Sequence, residues 1–231
     1  MTSIQLVIFD FDGTLFDMHR AISYSIKLTF DSLLPTSAPP EAEVQKLIGN
    51  GMGLQDVLKA LHPKPESFDQ DEWISTYRQI YAEDGQPLVT AFPGAQHLLR
   101  SLSARNIPTS IISNKGVAAV VKALENNGIE DIIPEQLIVG DKTPGATRKP
   151  DPGSYVDVLV PALKARGVKN IDPSNILVVG DTEADVQFAS NIGAKSVWCR
   201  FGYGDRATCV GLKPDFMIDY LPEVENLVDN L

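Results

Sequence analysis

The residues that could carry chemistry fall into four short clusters. Asp10 and Asp12 stand two apart, directly after the apolar run Leu6-Val7-Ile8-Phe9 and before Gly13-Thr14-Leu15. Ser113-Asn114-Lys115-Gly116 follows a second apolar stretch, and its hydroxyl with nearby backbone N–H groups would make a phosphate cradle at a helix N-terminus. Lys149, in Arg148-Lys149-Pro150-Asp151-Pro152, could offer a compact cation to a phosphate. Asp181 and Asp185, in Gly180-Asp181-Thr182-Glu183-Ala184-Asp185, share a face if the first turn there is helical. Two acids so placed suit a hard cation such as Mg²⁺. Taken singly, each cluster has a plainer explanation: a solvated turn, an N-cap serine, a lysine in a proline turn, acids at a helix start.

The elements that must position these clusters are legible in the hydrophobic pattern. Leu6 to Phe9 are apolar in succession, which suits a strand buried on both faces of a parallel sheet. From Pro93-Gly94 onward, strands near 108–112, 136–139, 176–179, 196–198 and 216–218 alternate with helices near 95–104, 117–127, 153–165, 183–192 and from Pro222. Each chemical cluster then lies just after a strand, where open α/β sheets bind their ligands. Between the first strand and this array, Asp17 to Gln86 reads as wholly helical. Met18, Ile22, Ile26, Phe30 and Leu33 recur at helical spacing, and shorter helices near 41–48, 54–61 and 69–83 follow. The predicted architecture is therefore an α/β parallel-sheet core, residues 1–16 and 87–231, with an inserted all-helical segment, 17–86.

Composition narrows the partners. The 231 residues are 43% hydrophobic and 22% charged, with a net charge of -10, and the isoelectric point is near 4.7. An acidic chain of this kind argues against general binding to nucleic acid or an anionic membrane. No stretch approaches the roughly 20 apolar residues of a membrane helix, and the N-terminus lacks a basic, apolar leader. Cys199 and Cys209 make no metal-ligand pattern. A cytoplasmic protein with reduced thiols is the expectation.

In order along the chain, Asp10-x-Asp12, Ser113, Lys149 and Gly180-Asp181-x-x-x-Asp185 resemble the four sequence motifs of the haloacid dehalogenase (HAD) superfamily. Ile48-Gly49-Asn50-Gly51, Phe92-Pro93-Gly94, Ser113-Asn114-Lys115, Lys149-Pro150-Asp151-Pro152 and Phe201-Gly202-Tyr203-Gly204 are similar to stretches of its phosphoglycolate phosphatase branch. The resemblance implies a Rossmann-like core and makes 17–86 a helical cap with hinges at Asp17 and Gly85-Gln86-Pro87. It further implies a Mg²⁺-dependent phosphomonoester hydrolase. In that chemistry Asp10 attacks phosphorus and Asp12 serves as general acid and base. Asp10, Asp12 (through its carbonyl), Asp181 and Asp185 hold the metal, while Ser113, Asn114 and Lys149 bind the phosphoryl oxygens. The substrate would be a small phosphorylated metabolite, foremost 2-phosphoglycolate.

Other outcomes are compatible with the same motifs: a sugar phosphate, nucleotide or pyrophosphate as substrate, phosphosugar mutation, or a phospho-accepting signalling module. The second acid, Asp12, favours phosphate transfer over dehalogenation, because halide departs without a proton. Substrate choice would fall to the helical segment, where Gly49, Asn50 and Gly51 could approach a ligand through their backbone. Lys59, His62 and Arg78 are further cap residues within reach of a substrate carboxylate, or simply solvated.

Overall fold

The structure, a computed structural model, describes residues 4–49, 53–168 and 170–231. The chain divides into two compact units, residues 1–16 with 91–231, and residues 17–90. It passes between them only at 16/17 and 90/91.

The first unit is a six-stranded parallel sheet with helices between its strands. Its strands are β1 (Leu6–Phe9), β4 (Thr109–Gly116), β5 (Ile138–Asp141), β6 (Ile176–Gly180), β7 (Lys195–Cys199) and β8 (Phe216–Ile218). The spatial order is β5-β4-β1-β6-β7-β8. Successive strands thus run outward one way from β1, then return to its other side and run outward again. This is the doubly wound order, and its topological switch point falls between β1 and β6. Every residue of β1 is buried, paired through Phe9 with Ile111 on one side and Val179 on the other. The unbroken apolar run was the right sign of such a strand: with neighbours on both edges and helices on both faces, no residue reaches water.

The connecting helices are α5 (Ala95–Ala104), α6 (Val117–Asn126), α7 (Val160–Ala165), α8 (Glu183–Ile192), α9 (Arg206–Gly211) and α10 (Glu223–Asn230). α5, for example, buries Leu98, Leu99 and Leu102, a stripe at three- and four-residue spacing. Among these helices, two segments differ from the sequence expectation. Residues 154–159 form a π-helical stretch before α7 rather than a continuous α-helix. Pro161 lies just beyond, where its missing N–H cannot complete the regular ladder. α9 was not anticipated; its six residues are too few to display a period. Cys199 and Cys209 are buried free thiols, with burial pushing both thiol pKa values up.

The second unit, residues 17–90, contains α1 (His19–Leu33), α2 (Glu41–Gly49), α3 (Leu54–Leu61) and α4 (Gln70–Ile80), the last prolonged by a π turn to Gly85. The short strands β2 (Phe16–Asp17) and β3 (Thr90–Ala91) pair where the chain leaves and re-enters the first unit. Its core gathers Ile26 and Phe30 of α1, Val44 and Ile48 of α2, Val57, Leu58 and Leu61 of α3, and Trp73 and Tyr77 of α4. Phe30 meets Trp73 edge-on at 4.6 Å between centroids, a favoured aromatic geometry. Buried hydroxyls within α1 are satisfied locally, Ser25 donating to the Ala21 carbonyl at 2.8 Å and Thr29 to that of Ser25 at 2.7 Å. Among the described residues, no helix of either unit is long and apolar enough to cross a membrane.

Candidate active site

The carboxyl ends of the central strands converge on one acidic centre. Asp10 follows β1, and its backbone N–H is held by the Val179 carbonyl at 2.8 Å. Asp181 follows β6 immediately, and Asp185 lies in the first turn of α8. Carboxylate oxygens of Asp10, Asp181 and Asp185 all lie within 4.8 Å of one another, and all three residues are buried. Three carboxyl groups this close are tolerable only with cations or protons among them. The chain supplies one. Lys149, itself buried, donates from Nζ to Asp10 and, at 2.5 Å, to Oδ1 of Asp185.

The protonation energetics follow from this crowding. Burial pushes the Asp10 carboxyl up to about 7, with Asp185 adding to the rise and Lys149 opposing it. Asp181 is raised well above the carboxylate range by burial, then by the charges of Asp10 and Asp185. Burial alone would lower Lys149, but Asp10 and Asp185 outweigh it and hold the ammonium charged. One lysine leaves the carboxylates under-neutralised. The donor set is all oxygen and closely spaced, which fits a hard divalent cation.

Each acid is fixed by neighbours from other strands. Thr14 Oγ1 donates to Asp181 Oδ1 at 3.1 Å, and the Tyr203 N–H donates to Asp181 Oδ2 at 2.7 Å. Trp198 Nε1, from β7, donates to the Asp181 carbonyl at 2.7 Å. Gly13 has φ of +82°, and a Cβ there would collide with the Asp181 carboxylate. The turn after Asp12 therefore needs glycine both for its left-handed backbone and for the close approach of the acid. Asp185 has two tasks. Its Oδ2 accepts from the Thr182 N–H at 2.9 Å and from Thr182 Oγ1 at 2.6 Å, the reciprocal cap of α8, while Oδ1 faces Lys149. The helix-start explanation and the charged-site explanation of this residue are both true, one oxygen each.

Ser113, Asn114 and Lys115 call for a correction. The strand does not end before them: β4 continues through them to Gly116, with its register against β5 shifting between Ile112 and Gly116. The helix α6 begins at Val117, where its apolar period predicts it, one residue beyond the end of the strand. The irregularity instead presents a buried Ser113 and frees Asn114 to reach across. Asn114 Oδ1 accepts the Lys149 N–H at 3.0 Å, which locates the backbone of the loop that delivers the lysine. That loop is braced from within by Thr147, whose Oγ1 donates to Asp151 Oδ1 at 2.7 Å, and by Ser154, whose Oγ donates to the Thr147 carbonyl at 2.5 Å. Ser113, Asn114, Asp141 and Thr147 line one small pocket, so the loop from Asp141 to Thr147 runs beside Ser113 and Asn114.

Asp12 is set apart from the buried triad. Its side chain is 36% exposed, and Oδ2 lies 3.5 Å from Nζ of Lys115. Lys115, like the Tyr203 N–H and Thr14, was assigned no part from sequence. Thr14 was detectable as the hydroxyl beside the first acid pair, but a backbone donor leaves no signal in residue type. In the helical unit, Gly49 ends α2, while Asn50 and Gly51 lie outside the described residues. Lys59 and Arg78 are exposed. His62 is buried rather than solvated, and it lies edge-on to Trp73 at 5.1 Å.

Residues 7–199 match the family model of haloacid dehalogenase-like hydrolases. The chain belongs to that family. It is 28% identical over 229 residues to a phosphoglycolate phosphatase of Aquifex aeolicus, covering 98% of each chain. It is 30% identical over 203 residues to one of Cereibacter sphaeroides, covering 85% of each. Among solved structures, a haloacid dehalogenase-like hydrolase of Streptococcus pneumoniae superposes with a TM-score of 0.77 at 26% identity, over 98% of this chain and 99% of that one. A Clostridium difficile structure reaches 0.81 at 22% identity, over 98% and 99%, a likeness of fold. As a haloacid dehalogenase-like hydrolase, this chain carries an acid pair after β1 and a buried Asp–Lys cluster facing it.

Proposed function

We propose that this hydrolase is a phosphomonoesterase that works through an aspartyl-phosphate on Asp10, with 2-phosphoglycolate as its substrate. The observation that carries the reading is the placement of Asp10: at the switch point, within reach of Lys149, Asp181 and Asp185, with a second carboxylate two residues on. Phosphoryl transfer needs positioning and charge neutralisation above all, and this cluster offers both. The substrate assignment is supported by the relatives named phosphoglycolate phosphatase that align over nearly the full chain.

Asp10, ionised and oriented by Lys149, attacks phosphorus; the Asp10 O–P bond forms as the bond from phosphorus to the ester oxygen breaks. Asp12 gives its proton to that departing oxygen, and in the second half takes a proton from the water that attacks phosphorus and releases Asp10. Ser113 Oγ and the Asn114 amide bind phosphoryl oxygens, and Lys149 offsets the charge spread over them. Asp10, Asp181, Asp185 and the Asp12 carbonyl would hold Mg²⁺. When bound, the ion supplies the positive charge that lets an ionised Asp10 approach a phosphate dianion. We assign the helical unit, residues 17–90, as the cap of the family and the seat of substrate choice.

The test is phosphate release from a panel containing 2-phosphoglycolate, sugar phosphates, mononucleotides and pyrophosphate, with MgCl₂ and with EDTA. Release that needs the cation and is fastest on 2-phosphoglycolate is the expected result. A different preferred ester would replace the substrate, and no release from any ester would overturn the phosphatase reading.

A further inference from the structure

The acids of the cluster differ in how much of each carboxylate the protein already uses. A carboxylate has two oxygens and about four acceptor positions in all. On Asp185, Oδ2 accepts from both the N–H and the Oγ1 of Thr182, at 2.9 and 2.6 Å, which fills that oxygen. Its Oδ1 accepts from Lys149 at 2.5 Å and keeps room for a single further ligand. On Asp181, Oδ1 accepts from Thr14 Oγ1 at 3.1 Å and Oδ2 from the Tyr203 N–H at 2.7 Å. The Asp181 carbonyl is taken as well, by Trp198 Nε1 at 2.7 Å. The loop carrying the Tyr203 N–H presses close, since a Cβ at Gly202 or Gly204 would collide with Asp181. Both acids are buried, so no solvent competes for these bonds.

Divalent cations differ in what they ask of such acids. Ca²⁺ takes roughly six to eight oxygens in a flexible shell, often both oxygens of one carboxylate. Mg²⁺ takes about six in a rigid shell and keeps several waters, so one oxygen from each acid suffices. We propose that Thr182 and Thr14 are positioning residues that confine Asp185 and Asp181 to one-oxygen binding, and that they thereby set the centre against Ca²⁺. The inference rests on the cluster holding a divalent cation, as in the proposed function, and adds what decides its size. Thr182 carries the larger part. For Asp185 to offer both oxygens, Oδ2 would have to give up a bond that also caps α8. Refusal of the larger ion is thus tied to the start of that helix. Thr14 acts in the same way on Oδ1 of Asp181, while the Tyr203 N–H holds Oδ2 from the opposite strand end.

The experiment is calorimetric titration of MgCl₂, and separately of CaCl₂, into the full chain at one fixed pH. Dissociation constants are the readout, so stability lost in a folded variant does not enter the comparison. Wild type should bind Ca²⁺ at least about tenfold more weakly than Mg²⁺. Thr182→Val removes the hydroxyl donor to Oδ2 and should narrow that ratio about tenfold, the lower end of what outer-shell partners contribute to metal affinity. Thr14→Val should narrow it in the same direction, and Thr182→Ser, which keeps the hydroxyl, should restore the wild-type ratio. Equal weakening of both cations in the valine variants would make the threonines general braces and overturn the proposal. Unchanged constants for both cations would overturn it too, and in either case Mg²⁺ binding by wild type would leave the proposed function standing. If wild type bound neither cation, the fault would lie in the metal centre of that function, and this inference would fall with it.

Discussion

Replacing Lys149 by Met would remove the cation that the chain itself supplies to its acidic centre. The Lys149 side chain is 4% exposed, and those of its partners Asp10 and Asp185 are 9% and 2% exposed. Methionine fills a similar volume but leaves three carboxylates within 4.8 Å of one another with no counter-charge from the chain. Deleting one partner of a buried ion pair costs about 3–5 kcal/mol. For a chain of this size each kcal/mol moves the melting temperature by about 2–4 °C, so the expected fall is roughly 6–20 °C. The assay is thermal unfolding by circular dichroism in EDTA, wild type beside variant, near pH 8 and again near pH 5.5.

The sign of the pH effect follows from Asp10, whose carboxyl is already pushed up to about 7 with Lys149 opposing the rise. A carboxyl whose folded pKa exceeds its unfolded value favours the fold while protonated, and that contribution is lost as pH rises through the folded value. Without Lys149 the folded value climbs further, so the deficit of the variant should be largest near pH 8 and shrink on acidification. A loss below about 2 °C, or a deficit that widens at the lower pH, would refute the claim that this lysine holds the carboxylates together.

The same crowding makes cation binding a proton-linked event. Because Asp10 and Asp181 are both raised by burial, Mg²⁺ should displace protons and bind more tightly as pH rises from about 6 to 8. Calorimetry in buffers of different ionisation enthalpy reads the proton count, and binding without proton release would contradict the buried-carboxylate site. Gly13→Ala places a methyl group against the Asp181 carboxylate on a left-handed backbone. It should abolish the stabilisation that Mg²⁺ gives to wild type, read as a melting shift; a full shift in that variant would show that the close approach is dispensable. Thr182→Val removes the hydroxyl that Asp185 Oδ2 accepts at 2.6 Å, at a cost of about 1 kcal/mol in chemical denaturation. An unchanged midpoint would mean that the backbone N–H alone caps the helix.

Much of this molecule could be read from residue types alone, and the exceptions have physical causes. β1 was plain because four consecutive apolar residues have no other use beside two acids. α3, α5 and α8 began and ended where their apolar periods did. β4 was cut short in the reading because Ser113, Asn114, Lys115 and Gly116 have little strand preference; pairing with β5, resumed at Gly116 opposite Asp141, overrides that local preference. The same extension places Ser113 in the strand rather than in a turn before α6, and it concealed Lys115, whose direction depends on the shift in register. Asn114 carries an additional duty toward the Lys149 backbone that no spacing encodes, since the two are 35 residues apart. The Tyr203 N–H that holds Asp181 is invisible for a simpler reason: every residue but proline has one. His62 was read as solvated or as reaching a substrate carboxylate, but packing against Trp73 and Phe68 buries it.

The account stands on Asp10 as the group that takes the phosphoryl unit. The direct measurement is phosphate release from 2-phosphoglycolate with saturating MgCl₂, by wild type and by Asp10→Asn, once circular dichroism shows the variant folded. Loss of the nucleophile should lower turnover by at least about four orders of magnitude. An Asp10→Asn enzyme that keeps more than about a tenth of wild-type turnover would contradict the account, because the carboxylate at the switch point would then be a bystander to the chemistry.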